Sequence, residues 1–245
     1  MRASAGASPG TWQPAWQLTQ GKGALSPGRG IEEKFNAIDD VNAADPSRSA
    51  LSRVTFAVFL WLYRRGNWRA SVSGPATRVL PRKAVIIAVP HATNWDLVNY
   101  LGLTHDLGLR TRVIAKASLF RWPIARFMRD MGGVPVDRSR RANLVEQMAE
   151  QFAARHDLLL TIAPEGSRAV TGSWKSGFYQ IALAANVPIL CGWIDYDAKR
   201  GGIGPAIMPT GDYAADMIEA QRFYESKGIA APDFASMSEA GDKPI

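Results

Sequence analysis

Short apolar runs rich in β-branched residues alternate with segments of helical periodicity from Pro81 onward. The clearest run is Val85 to Val89, which ends at Pro90. Alternation of short strands with helices is typical of βαβ units. The sequence therefore predicts an α/β fold with a mostly parallel or mixed central sheet flanked by helices. Predicted strands occupy 85–89, 112–115, 134–136, 158–163, 188–194 and about 203–208, and predicted helices occupy 95–106, 122–131, 141–155, 176–185 and 212–227.

An apolar segment precedes this alternating region. Residues 47–68 are predicted as a helix with Ser47 or Ser49 as its N-cap, and the apolar stretch within it, 54–63, is about half of the ~20 residues needed to cross a bilayer. Two interpretations stay open: the helix packs on the domain, or it lies in a membrane interface with its flanking arginines on anionic lipid. In the second interpretation the side chains that enter the headgroup region are Phe56, Phe59, Leu60, Trp61 and Tyr63.

Composition divides the chain into four parts. Residues 1–47 mix Gly, Ser, Ala, Pro and Gln with little periodicity, and we expect a disordered leader there. The predicted N-terminal helix and a linker occupy 48–79, and the α/β domain occupies 80–228. Residues 229–245 form a C-terminal tail with no strong pattern.

Charge and cysteine content narrow the function classes. With 29 Lys and Arg against 22 Asp and Glu, the net charge of +7 predicts an anionic partner, which can be nucleic acid, a membrane surface or a phosphorylated substrate. Nucleic acid is disfavoured because the chain has no RNA-platform motif, zinc finger or basic heptad helix. A single cysteine, Cys191, excludes an internal disulfide and is predicted to be a packed, inert thiol. Three scattered histidines predict no metal site.

Three polar segments follow predicted strands at their carboxyl ends: residues 90–96, 137–141 and 164–168. In an α/β sheet the loops at this edge converge, and ligands bind there. His91 leaves a strand and Asp96 starts a helix five residues later, so the bend can bring the carboxylate onto the imidazole. Imidazole is a competent base near neutral pH, and a carboxylate on Nδ1 holds its tautomer. The alternative is a capping aspartate beside a packed histidine.

Four ordered blocks stand between residues 84 and 196. They are HATNWD at 91–96, GGVPVDR at 132–138, APEGSR at 163–168 and VPI at 187–189, the last after the Lys-Ser-Gly step at 175–177. In this order the blocks resemble the glycerolipid acyltransferase family, typified by the 1-acylglycerol-3-phosphate acyltransferases with their H-x-x-x-x-D motif. The 80–228 segment is accordingly expected to be an acyltransferase domain.

The resemblance implies transfer of a fatty acyl group from acyl-CoA or acyl carrier protein to the hydroxyl of a lysophospholipid-like acceptor, with 1-acylglycerol-3-phosphate as the first expected acceptor. No bound cofactor, metal or covalent enzyme intermediate is implied, since the acyl donor is a co-substrate. By matched position, His91 is the general base and Asp96 orients and stabilises it. The residues that would bind the acceptor's phosphate or polar head are Arg138, Glu165, Gly166, Ser167 and Arg168.

Three positions depart from the family pattern. Thr93 and Ser167 replace a frequent serine and the usual threonine, so each keeps a hydroxyl. Ala163 replaces a frequent phenylalanine and opens about the space of an aromatic ring. We therefore expect the acceptor or the acyl chain to differ from the standard one.

The expected setting is cytoplasmic and peripheral, on the inner face of an anionic membrane, with no nucleic-acid partner. Two other functions stay open on the residues alone. One is a thioesterase-type hydrolase in which water replaces the acceptor at the same dyad. The other is a lipid-binding module without catalysis.

Overall fold

The computed structural model describes residues 49–72, 80–91, 93, 95–136, 144–165 and 174–240, all of which fall in one compact unit of the chain, Ile38–Ile245. The predicted leader at 1–47 lies outside the described residues. The described strands are β1 (Arg69–Val72), β2 (Lys83–Val89), β3 (Thr111–Lys116), β4 (Gly133–Val136), β5 (Leu158–Ile162), β6 (Ile189–Asp195) and β7 (Arg200–Ile207). The described helices are α1 (Ala50–Arg65), α2 (Asp96–Asp106), α3 (Ala125–Asp130), α4 (Leu144–Ala153), α5 (Gly177–Ala185), α6 (Tyr213–Ser226) and α7 (Phe234–Ala240), with a 3-10 turn at Ala117–Leu119.

The seven described strands form one mixed sheet in the order β1-β7-β6-β2-β5-β3-β4. The five strands from β6 to β4 are mutually parallel, β7 runs antiparallel to β6, and β1 is parallel to β7. The predicted fold class, a mostly parallel or mixed sheet flanked by helices, is confirmed. Because β2, β4, β5 and β6 all point the same way, their carboxyl ends meet at one edge of the sheet.

Both faces of the central strands are buried, which explains why β2, β5 and β6 are continuous apolar runs in the sequence. Alternate residues of β2 enter different cores: Val85 and Ile87 pack with α4, α5 and α6, whereas Ala84 and Ile86 lie on the opposite face. That opposite face is covered by α2, and α1 packs on α2. The Cys191 thiol is fully buried in the core that contains Val85 and Ile87, as its mid-strand position predicts.

Helix α1 begins where its cap residue predicts. Ser49 is the N-cap and its side chain accepts a hydrogen bond from the Ser52 amide. Of the five side chains that the interfacial interpretation places in the headgroup region, Phe56, Leu60 and Tyr63 face α2 and are buried. These three, which lie four and three residues apart on one face of α1, follow the packing interpretation because they meet a partner helix. The Tyr63 ring fits there because Gly102 of α2 has no side chain: a Cβ at Gly102 would lie 2.1 Å from the ring.

The exposed face of α1 carries a second apolar stripe. Its large members are Leu51, Val54, Val58 and Trp61, of which Trp61 is 61% exposed. These positions recur at helical spacing and therefore share one side of the helix. Within the described part of the chain, no helix combines the length and the apolar character that a membrane span requires.

Besides the short 3-10 turn, one strand and one helix of the described residues were not predicted. Strand β1 is short and half polar (RASV), and it pairs with β7 because Gly202 allows a close approach: a Cβ there would lie 1.6 Å from the Ser71 carbonyl oxygen. Helix α7 lies in the segment for which the sequence showed no strong pattern, and its first residue, Phe234, is buried against α6 and α5. The remaining described elements match the predictions to within a few residues at their ends.

Candidate active site

Three neighbouring strands carry the polar side chains of the site. His91 lies two residues after β2, Glu165 three residues after β5, and Tyr196 directly after β6. β2 is hydrogen-bonded to β5 on one side and to β6 on the other, all in parallel. Parallel pairing therefore brings residues that are far apart in the sequence to one edge of the sheet, as the strand-end argument predicts.

His91 and Asp96 lie in contact, as their spacing predicts. His91 Nδ1 is 3.1 Å from Asp96 Oδ2. The side chain of His91 is 38% exposed, whereas that of Asp96 is 9% exposed. A carboxylate on Nδ1 favours the tautomer with the proton on that nitrogen, which leaves Nε2 with a free lone pair. The geometry thus gives a base whose reactive nitrogen faces away from the carboxylate that orients it.

Asp96 is fixed by three donors besides the imidazole. Oδ2 accepts from the Thr93 amide at 2.8 Å, and Oδ1 accepts from the Thr93 hydroxyl at 2.6 Å and from the Tyr196 hydroxyl at 2.5 Å. Burial by itself would raise the pKa of Asp96, but the Thr93 and Tyr196 hydrogen bonds and the nearby imidazole outweigh it, so the pKa is lowered. Asp96 is therefore held as an anion.

The same residues stand at the start of helix α2. The Thr93 hydroxyl accepts from the Trp95 amide at 3.2 Å, while Asp96 accepts from the Thr93 amide. The contact from the Thr93 amide to the Asp96 carboxylate, three residues on, corresponds to one half of a capping box, whereas the Thr93 hydroxyl reaches only two residues along. The N-cap residue Trp95 makes no side-chain capping bond. The alternative of a capping aspartate is thus compatible with the dyad, because one carboxylate performs both tasks. Thr93, one of the departures from the family pattern, is the residue that holds it.

Glu165 lies beside the dyad and is buried. Its Oε2 accepts weakly, at 3.4 Å, from the His91 backbone amide. Burial raises the pKa of Glu165, and the neighbouring Asp96 charge adds to the increase, while the His91 amide and imidazole oppose it. A buried carboxyl of raised pKa beside a candidate base is typical of functional sites.

A cavity of about 950 Å³ opens at His91 and Asp96. Its lining is mainly apolar and comes from both sides of the sheet, with Ile203 and Leu107 on the α2 side and Phe178 and Ile181 on the α5 side. It also runs along α2 from Asp96 to Leu107, which is about 16 Å at 1.5 Å per residue. Ala163, where the family has phenylalanine, lines this cavity and leaves it open.

Four predicted acceptor-binding residues, Arg138, Gly166, Ser167 and Arg168, lie outside the described residues. Their described neighbours are at the site: Val136, the last residue of β4, and Pro164 both line the cavity. No group of three or more His, Cys, Asp or Glu side chains in the described part of the chain is arranged to hold a metal ion.

Sequence reasoning missed Tyr196. The signal was available in part, because the strand at 188–194 was predicted and Tyr196 follows its carboxyl end. What was missing was the strand order: nothing in the sequence indicates that β6, and not another strand, is the neighbour of β2.

The chain is similar to known proteins in two comparisons. A family model described as Acyltransferase matches residues 71–195, just over half of the chain and the whole span of the four sequence blocks. The crystal structure of the 1-acyl-sn-glycerophosphate (LPA) acyltransferase PlsC from Thermotoga maritima is similar at 16% identity with a TM-score of 0.47, covering 82% of this chain and 88% of that chain. No curated protein matches the chain.

Proposed function

This chain belongs to the acyltransferase family, and we propose that it transfers a fatty acyl group from acyl-CoA or acyl carrier protein to the hydroxyl of a lysophospholipid-like acceptor. The first acceptor we propose is 1-acylglycerol-3-phosphate. The observation that carries the proposal is the His91–Asp96 contact at the mouth of a long apolar cavity. A base alone would suit many reactions, but a base beside an apolar channel suits a substrate with an acyl chain.

His91 acts as the general base. Nε2 takes the proton of the acceptor hydroxyl, and the hydroxyl oxygen attacks the carbonyl carbon of the thioester. The resulting tetrahedral intermediate collapses as the C–S bond breaks, and the leaving thiolate takes the proton from the imidazolium. The new ester and the free thiol leave, and the imidazole is neutral again. Asp96 stabilises the transient imidazolium because it remains an anion throughout.

The acceptor's phosphate or polar head is bound by Arg138, Glu165, Gly166, Ser167 and Arg168 in this proposal. The motif pattern supports it, together with the position of Glu165 beside the dyad. Arginine guanidinium groups bind phosphate in a bidentate manner, and a glycine lets the backbone approach a ligand. Glu165 lies beside the dyad, where its carboxyl oxygens can accept a hydrogen bond from a hydroxyl of the acceptor.

We further propose that the protein works at an anionic membrane on the cytoplasmic face. Support comes from the exposed stripe Leu51, Val54, Val58 and Trp61 on α1 and from Trp122, which is 92% exposed. The arginines of α1 at 53, 64 and 65 are exposed as well. Apolar side chains beside exposed arginines are the composition of surfaces that bind anionic lipid.

The central experiment is the His91→Ala variant, assayed by mass spectrometry with acyl-CoA and a panel of lysolipids. Loss of a general base is expected to reduce acyl transfer by about 100-fold or more. His156→Ala is the matched control, since His156 is exposed and lies outside the site. Unchanged transfer by His91→Ala would refute the mechanism. Acyl-CoA cleavage by the wild-type protein that is equally fast without any acceptor would identify a hydrolase.

A further inference from the structure

Tyr196 contacts the same carboxylate as the candidate base. Its hydroxyl donates to Asp96 Oδ1 at 2.5 Å, and His91 Nδ1 lies 3.1 Å from the other oxygen, Oδ2. The phenol and the imidazole therefore hold opposite oxygens of one carboxylate. Thr93 donates to both oxygens as well, so the carboxylate cannot rotate without breaking a hydrogen bond.

The Tyr196 hydroxyl is itself held in place as a donor. Tyr196 directly follows β6, whose hydrogen bonds to β2 fix its position relative to His91. Its ring meets Trp68 edge to face, with the ring centroids 6.0 Å apart. Burial, and then the hydrogen bond to the anionic Asp96, raise the pKa of the Tyr196 phenol. The phenol is therefore protonated at neutral pH and can only donate to the carboxylate.

We infer that Tyr196 is a positioning residue that sets how much of the Asp96 charge acts on His91. A donor on Oδ1 draws negative charge from the carboxylate, so less is available at Oδ2 to stabilise an imidazolium. Tyr196 thereby weakens the attraction that Asp96 exerts on an imidazolium at His91. The inference rests on the proposed function, in which His91 is the base.

Three described titratable groups surround the His91 side chain, and they come from three elements. Asp96 lies at the start of α2, Glu165 follows β5 and Tyr196 follows β6. Lys175, just before α5, lines the same cavity. Among the titratable groups bonded to Asp96 or His91, only the Tyr196 hydroxyl can be removed without deleting a charge. Tyr196→Phe therefore changes the sharing of charge and leaves the number of charges unchanged.

The test is nuclear magnetic resonance of the full chain labelled with 15N-histidine, with and without Tyr196→Phe. The midpoint at which the His91 ring nitrogens titrate is expected to rise by about half a pH unit. In the plot of kcat/KM against pH, the acid limb is expected to shift to higher pH by the same amount. At any pH below the midpoint, kcat/KM of the variant is then about threefold lower than that of the wild type. KM for acyl-CoA is expected to stay the same, because Tyr196 does not contact the donor in this proposal.

A second tyrosine–aspartate–histidine group provides the control. Tyr63 donates to Asp106 Oδ2 at 2.8 Å, and His105 Nδ1 is 3.4 Å from Asp106 Oδ1. Tyr63→Phe removes the same kind of hydrogen bond outside the site. It is expected to leave the His91 midpoint and the pH profile of the reaction where they are.

Three results would overturn the inference. They are a His91 midpoint that is unchanged in Tyr196→Phe, one that falls, and one that rises while the acid limb of the rate profile stays in place. The spectra are recorded without substrate, so they test Tyr196 even if His91→Ala shows that the proposed function is wrong. If Tyr196→Phe does not fold, 3-fluorotyrosine at position 196 replaces it: this stronger donor is expected to lower the midpoint, and no change would count against the inference.

Discussion

The two ends of helix α2 carry the same three residue types and differ in what surrounds them. At its start, Asp96 is bound to His91 and Tyr196; at its end, Asp106 is bound to His105 and Tyr63. In both groups burial by itself would raise the pKa of the aspartate, and its partners outweigh burial and lower it: Thr93, Tyr196 and the charge of His91 act on Asp96, whereas His105, Tyr63 and the charge of Arg64 act on Asp106. The two aspartates are therefore alike in the direction of their pKa shifts.

Access to substrate distinguishes the two ends. The His91 side chain is 38% exposed and lines the cavity, whereas the His105 side chain is 8% exposed. The His105 ring lies against Phe56 of α1, with ring centroids 6.1 Å apart, and the α1 helix covers that end of α2. A carboxylate-bound histidine is thus a candidate base only where a free ring nitrogen meets a ligand cavity. Pairing with a carboxylate alone therefore does not identify a catalytic histidine.

The largest expected effect is on kcat, and it differs between the two aspartates. Asp96→Asn removes the charge that stabilises the imidazolium, and kcat is expected to fall by about 100-fold or more. Asp106→Asn makes the same change at the other end of α2, and kcat is expected to stay within about twofold of the wild-type value. Steady-state kinetics of both purified variants checks this. Equal losses would show that the two groups are not functionally different.

The next prediction concerns membrane binding by the outer face of α1, the helix whose inner face covers the His105 group. Trp61→Glu places a negative charge in the exposed apolar stripe and is expected to weaken binding to anionic lipid vesicles by about tenfold. Met237→Glu, at an exposed apolar residue of α7, is the control and is expected to change binding little. Cosedimentation with vesicles measures both. Equal binding by Trp61→Glu and wild type would remove α1 from the proposed membrane surface.

The cavity is lined by residues of the His91 group and not by His105, Asp106 or Tyr63, and a larger side chain can narrow it. Ala163→Phe restores the aromatic residue frequent in the family at a position that lines the cavity. Because the added ring fills space, kcat/KM for long acyl chains is expected to fall several-fold relative to short ones. A chain-length series of acyl-CoA substrates measures this ratio. An unchanged ratio would mean that the acyl chain does not occupy this part of the cavity.

The smallest expected effect is on stability at low pH. The folded protein lowers the pKa of Asp106 below its ordinary value of 3.8, so this group contributes stability above about pH 4 that is lost as the pH falls through the lowered value. The unfolding free energy of Asp106→Asn is therefore expected to depend less on pH between about 5 and 3 than that of the wild type. Urea titrations at several pH values measure the slopes. Parallel slopes would contradict the lowered pKa.

Most of the sheet was predictable because its central strands are buried on both faces and read as continuous apolar runs. Helix ends were predictable where a side chain caps them, as Ser49 does for α1. Strand β1 and helix α7 were not, because β1 depends on a close approach at Gly202 and α7 on packing of Phe234 against a distant core. The sequence could not choose between the two interpretations of Phe56, Leu60 and Tyr63 for a related reason: an apolar helix face does not indicate whether lipid or another helix covers it.

The amino-acid sequence by itself determined the α/β class, the family and the His91–Asp96 contact, because each depends on residues close together in the chain or on ordered motifs. Only the tertiary structure decided that Tyr196 joins this pair, that His105 is closed off by α1, and that the apolar cavity extends from the dyad along α2. These features depend on strand order and helix packing, which bring together residues up to 100 positions apart. Local sequence patterns do not indicate which distant residues will meet. The pairings form because they belong to the arrangement in which the whole domain removes its apolar surface from water.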